Sequence, residues 1–151
     1  MIAASQIKSI LNETTVFAGL PEATLGRIAD SVWVKTYEPG TVLYRHGDDA
    51  LESYVLISGL VRFTFDKSSG ALAPSSLIRS RTIFGWAALV PEHPRRIGSA
   101  EVLERSQIIV INGDKLIDIL RADPAAGFLV MQRLASMIAR KKSSVPTPGG
   151  I

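Results

Sequence analysis

Cysteine is absent from the 151-residue chain. That absence removes disulfides, thiolate zinc sites, cysteine-ligated iron–sulfur clusters and cysteine nucleophiles together. No run of about 18 or more apolar residues occurs either, so no stretch reads as a membrane-crossing helix. The N-terminus MIAASQIKSILNE lacks the basic start and continuous apolar segment of a signal peptide. The expectation is a soluble, cytoplasmic protein with no membrane partner. Histidine is scarce, and neither His46 nor His93 lies in a pattern with metal-ligand spacing. A metal-dependent cupin-type enzyme would need several inward His or Glu ligands, so no metal site is assigned. With no GxSxG and no placed histidine base, catalysis has no candidate constellation, and the chain is read as a non-enzyme.

Charge of one sign is also in short supply. The 17 Lys+Arg against 14 Asp+Glu leave a net charge of +3, which suits an anionic ligand and is too little to demand nucleic acid. Much of the excess sits at Arg140-Lys141-Lys142, where a solvated helix end favoured by the macrodipole is the simplest account.

What the chain does have is enough apolar sequence, 46% against 21% charged, for one domain with a genuine core. SQIKSILNETTVF and PEATLGRIADSV read as two short helices, the second with Leu25, Ile28, Ala29 and Val32 at helical spacing. The period then changes. Between Trp33 and Ile111 come β-rich segments, WVKTYE, TVLYR, SYVLISG, LVRFTFDK, SSLIRS, IGSAEVLE and SQIIVI, punctuated by EPG, HGDD and SSG turns. Runs of this length at turn spacing predict an antiparallel sandwich or barrel. After Asn112-Gly113-Asp114 the pattern is helical again, as KLIDILRA and then AAGFLVMQRLASMIARKK. In the latter Val130, Leu134 and Met137 form one stripe and Phe128, Met131, Ala135 and Ile138 the next. So wide an arc fits either a core-facing helix in a monomer or a helix shared with a second copy. The tail SSVPTPGGI cannot continue a helix past Pro146 and is expected to be disordered, giving a domain over residues 1–142 and a tail over residues 143–151.

One segment, RTIFGWAALVPEHPRRIG, offers two ways of holding an anion within a dozen residues. Phe84-Gly85 ends a strand. If Trp86, Ala87, Ala88 and Leu89 then form a helical turn, its unpaired amides meet a glycine with no Cβ in the way of a phosphate. Arg96, eleven residues after that glycine, can return across the site with a planar fork for the same group. The bland alternative is a strand-end glycine followed by a solvated arginine pair.

The order of features resembles the cyclic nucleotide-binding domain of the CRP/FNR and protein kinase A regulatory-subunit superfamily over residues 16–142. The motifs that carry it are F-x-G-L at Phe17, Y-x-x-G at Tyr37, Gly47-Asp48, Ile57-Ser58-Gly59 and Phe84-Gly85. The resemblance implies a mainly β, α+β fold, a jelly-roll antiparallel β-barrel flanked by N-terminal helices and a C-terminal helix. It also implies a phosphate-binding cassette at residues 85–98, a cyclic nucleotide or other phosphate-bearing ligand, and a long helix that closes over the ligand and pairs with a second subunit. On that pattern Arg96 takes the phosphate and Gly85, Ala87 and Ala88 supply amides. A one-residue shift in the intervening loop would give Arg95 the role instead; spacing favours Arg96.

Three departures modify the implication. Trp86 stands where the family has the glutamate that accepts from a ribose hydroxyl, and Ile97-Gly98 stand where it has Ser/Thr-Ala. Loss of that acceptor should cost roughly 1.5–3 kcal/mol. Trp86 either caps the cavity as core or stacks on a planar ligand. Lys141 and Lys142 fall where base-contacting residues are expected and do not resemble them. Only nine residues follow Lys142, so no DNA-reading helix fits there, and output is expected through a homodimer or a protein partner rather than through DNA. The expected ligand-binding set is Gly85, Trp86, Ala87, Ala88, Arg96, Ile97 and Gly98. The alternative is a ligand-independent interaction or dimerisation module whose pocket Trp86 fills.

Overall fold

The computed structural model describes residues 2–65, 75–90, 92 and 95–144, with side chains as far as Arg140. The SSG turn, His93, the side chains of Lys141 and Lys142, and the tail from residue 145 lie outside these. Helices α1 (Ala4–Asn12) and α2 (Glu22–Asp30) open the chain. Each buries one apolar stripe, Ile7, Ile10 and Leu11 on the first and Leu25, Ile28 and Ala29 on the second. Val32, assigned by period to the second helix, instead begins a strand and pairs with Ile111. Its β-branched side chain is better accommodated on a pleated surface than in a last helical turn.

Among the described residues six antiparallel strands follow: β1 (Val32–Tyr37), β2 (Val42–Tyr44), β3 (Glu52–Phe65), β4 (Ser75–Ile78), β5 (Ile83–Phe84) and β6 (Gly98–Asn112). The segments SYVLISG and LVRFTF are one strand, as are IGSAEVLE and SQIIVI. The two long strands pair from Glu52↔Asn112 to Phe65↔Gly98, with register shifts between Leu56 and Val61. Gly59 sits in that bulge at φ 106°, where a Cβ would run into the Ser106 hydroxyl. What looks in sequence like a turn is therefore a bulge that bends a continuous strand. Below it β1 and β5 flank the pair, and above it β2 and β4 do so, which makes two layers out of two shared strands.

Both faces of the long strands are covered where they meet the helices, so Tyr54, Val55 and Leu56 are all buried, as are Ile108, Val110 and their neighbours. Val55, Ile109 and Ile111 join the helices in one cluster. Tyr54, Leu56, Ile108 and Val110 face inward with Tyr44, Val61, Phe84 and Val102 in a second. The mostly antiparallel sheet with flanking helices is the arrangement expected from the sequence.

Helix α3 (Gly113–Ala122) starts at Asn112, whose side chain accepts from the Lys115 amide, a Ser/Thr/Asn/Asp-type N-cap. It turns at Asp123 into α4 (Pro124–Ser144), which runs two residues past the expected helix end. Two polar contacts bind this C-terminal pair to the N-terminal helices. The Thr24 hydroxyl donates to Asp123 at 2.6 Å, and the Arg133 guanidinium donates to the Ala18 carbonyl at 2.6 Å and to that of Thr15 at 3.3 Å. Asp123 is held below the usual carboxylate range by the Thr24 hydroxyl and then by the Ala126 amide. Movement of α4 would therefore carry the loop after α1 with it.

Candidate ligand-binding site

Gly85 follows β5 in the left-handed region at φ 69° and leads into a single 3₁₀ turn, Trp86–Leu89. Glycine is needed twice over here: for the φ, and because a Cβ would stand 3.0 Å from the Tyr54 ring and 3.1 Å from the Arg96 guanidinium. The Gly85 carbonyl accepts from the Ser53 hydroxyl and from Arg96 Nη1, each at 3.0 Å.

Arg96 is 3% exposed. Its Nη2 donates to the Glu52 carbonyl at 2.6 Å, and its guanidinium carbon lies 4.1 Å above the Tyr44 ring and 5.9 Å from that of Tyr54. The rings continue as a stack, Tyr44 to Tyr54 at 5.9 Å and Tyr54 to Phe84 at 5.2 Å. Among the described residues no carboxylate pairs with Arg96, and its Nε is buried with no acceptor. Taking a cation out of water costs several kcal/mol. Two carbonyl bonds, at about 1.5–3 kcal/mol each, and a ring contact of up to about 2 kcal/mol can offset much of this, but they leave the positive charge unneutralised.

The turn at Gly47-Asp48 decides which arginine is inside. Arg96 donates its amide to the Asp48 carbonyl at 2.8 Å and accepts from the Gly47 amide at 2.9 Å, while Asp48 closes its own turn by accepting from the Arg45 amide. With the backbone fixed this way, Arg95 points outward, its side chain 70% exposed, to Gly47 and Asp49. His46 lies by the same turn, its amide donating to the Ser99 hydroxyl.

A cavity of about 130 Å³ opens beside Arg96. Of the residues proposed from the sequence, Gly85, Trp86, Ala87, Arg96 and Ile97 line it. Ala88 and Gly98 do not. Ala88 backs onto α3, where a Cβ at Gly113 would stand 2.5 Å from its carbonyl, and Gly98 begins β6 against Phe63. Trp86 forms part of the wall, half-buried, with its other side against the helical core. The remaining wall includes Tyr44, Phe63, Ile78 and Thr82, and α4 contributes Met137 and Ile138. Tyr44 and the Glu52 carbonyl, both central to how Arg96 is held, carry no local motif; Tyr44 was legible only as a strand residue, and Glu52 fell outside the segments read as strands.

Residues 34–123 match the family described as "Cyclic nucleotide-binding domain". The chain is 32% identical over 108 residues to the anaerobic regulatory protein of Bacillus subtilis, covering 72% of this chain and 45% of that regulator. Among solved structures it is similar to the sensor domain of the transcriptional regulator DNR from Pseudomonas aeruginosa, with TM-score 0.77, 18% identity, and 95% and 96% of the two chains covered. Thermus thermophilus catabolite activator protein is similar at TM-score 0.70 and 23% identity over 84% of this chain and 57% of that one. The fold is that of these neighbours, and the chain belongs to the cyclic nucleotide-binding domain family. It spans less than half the length of the Bacillus regulator. No helix among the described residues is long and apolar enough to cross a membrane.

Burial pushes the Tyr44 phenol up to about 12, opposed by the Arg96 cation, and raises Tyr54 further by the same causes. A raised folded-state pKa means the fold favours the neutral phenol. Its contribution is complete below the ordinary value of 10.0 and is lost as pH rises from there toward about 12. Chemical denaturation across that window should show stability falling with pH. Tyr44→Phe, which keeps the ring under the guanidinium, should flatten part of the fall; an unchanged slope would refute the assignment.

Proposed function

We propose that the chain is a sensory or regulatory domain that binds a small phosphate-bearing anion at residues 85–98, with Arg96 as the receiving group. Its role is binding rather than catalysis. The observation that carries this reading is a guanidinium 3% exposed, with no carboxylate partner among the described residues and an Nε without an acceptor, at the wall of a cavity. An anion there supplies what the protein leaves unmatched. Trp86 on the wall, in place of a carboxylate acceptor, favours ligands other than ordinary cyclic nucleotides.

Signal output is assigned to α4. Met137 and Ile138 line the cavity, so occupancy and helix position are linked, and the Asp123 joint is tied to α2 through Thr24. The opposite face of α4 leaves Phe128 69% exposed, with Ala135 exposed on the same side. Such an aromatic suits contact with a second copy or a partner protein. The ligand-independent alternative draws support from Arg96 being held already by two backbone carbonyls.

Calorimetry with phosphate-bearing ligands separates the two. Arg96→Lys retains a charge but loses the fork, and binding should weaken at least tenfold, a difference of about 1.4 kcal/mol. Equal affinity in the variant, or no binding by the parent protein, would remove the sensor reading. In sedimentation velocity the parent chain should run as a dimer and Phe128→Glu as a monomer. A monomeric parent would exclude self-association through α4.

A further inference from the structure

We infer that the ligand is a compact amphiphilic anion, a single phosphate or carboxylate on a ring-sized apolar body, and not a nucleotide. The inference rests on the reading that an anion pairs with Arg96, and it concerns the rest of that ligand.

Size is the first constraint. The cavity holds about 130 Å³. A cavity of about 150 Å³ accommodates one benzene-sized ring, whereas sites for drug-sized ligands begin near 300 Å³. A base, a sugar and a phosphate together exceed the space these walls enclose with α4 in its present position.

The chemistry of the walls is the second. Phe63, Phe65, Ile78, Phe84 and Ile138 contribute hydrocarbon side chains to the lining, and Trp86 contributes an indole. Phe63 and Phe65 meet edge to face at 4.8 Å, a geometry that can be extended by a third ring. Apart from Arg96, the polar groups of the described lining are the Tyr44 and Thr82 hydroxyls and the Trp86 indole N–H, and no carboxylate is among them. A sugar hydroxyl brought here must give up water, and each one left without a partner lowers affinity by roughly tenfold or more. A hydrocarbon ring loses nothing on the same transfer and gains from leaving water.

The third constraint is charge. Among the described lining residues Arg96 is the one ionisable cation, and no other charged side chain accompanies it. A ligand with a second charged group would place it against aromatic and aliphatic carbon, which is costly without a counter-charge. One oxyanion with an apolar remainder satisfies both ends. Phosphate and carboxylate share the acceptor geometry that a guanidinium recognises.

The test uses the full chain and calorimetry with inorganic phosphate, phenyl phosphate, phenylacetate, benzyl alcohol and cAMP. At least one aryl anion should bind ten or more times more tightly than inorganic phosphate, benzyl alcohol and cAMP. Inorganic phosphate binding as tightly as the aryl anions, or cAMP binding most tightly, overturns this inference and leaves the anion site standing. Benzyl alcohol matching the aryl anions overturns the anion reading itself, as does failure of every probe. Phenylacetate binding without phenyl phosphate supports the amphiphilic anion and excludes a phosphate headgroup. Ile138→Phe, checked for folding by circular dichroism, should lower aryl-anion affinity at least tenfold. Unchanged affinity in that variant places the apolar body elsewhere and refutes the inference.

Discussion

A guanidinium buried without a carboxylate is an expensive object, and much of the barrel is arranged around the one at Arg96. The Gly85 and Glu52 carbonyls accept from its two terminal nitrogens, the Tyr44 ring lies beneath it, and the Gly47-Asp48 turn grips its backbone from both directions. These four contributions come from separate strands and turns. The site therefore exists only when the long β3 and β6 strands are in register, which makes it a consequence of the whole fold. The contacts orient the cation without neutralising it, so a positive field persists at the wall of an apolar cavity, where low polarity strengthens it.

The same geometry joins the site to the rest of the chain. Gly85 introduces the turn whose Ala88 packs against Gly113 at the start of α3, and α4 returns to line the cavity with Met137 and Ile138. From α4, Arg133 reaches the loop after α1 and Asp123 reaches α2. Cavity, joint and N-terminal helices thus form one contiguous set of contacts, so a ligand that favours one position of α4 also selects among positions of the N-terminal helices.

Local chemistry made part of this readable in the sequence. Period and punctuation announced the helices and most strands, and the eleven-residue interval from Gly85 to Arg96 singled out the arginine. Long-range contacts hid the remainder. Ile57-Ser58-Gly59 resembled a strand end because a glycine at positive φ serves turns and bulges alike, and only pairing with Ser106 and its neighbours distinguishes them. Val32 kept a helical interval by coincidence and was claimed by the sheet. The choice of Arg96 over Arg95 is made by backbone hydrogen bonds to residues nearly fifty positions earlier. Tyr44 and Tyr54 have no signature as partners of a cation until strands bring them under it. Ala88 and Gly98 lie outside the cavity lining, against Gly113 and Phe63.

The account turns on whether the Arg96 guanidinium, which has no carboxylate partner among the described residues, receives an anion. Proton–nitrogen NMR of the arginine side chains, with Arg96 assigned by substitution to lysine, reports on that guanidinium through its Nε–H. On titration with an aryl phosphate or carboxylate, the Arg96 Nε–H resonance is predicted to move downfield and saturate while the signals of exposed Arg95 stay in place. An Arg96 resonance that remains fixed through saturating ligand, or that moves no more than Arg95, contradicts the account.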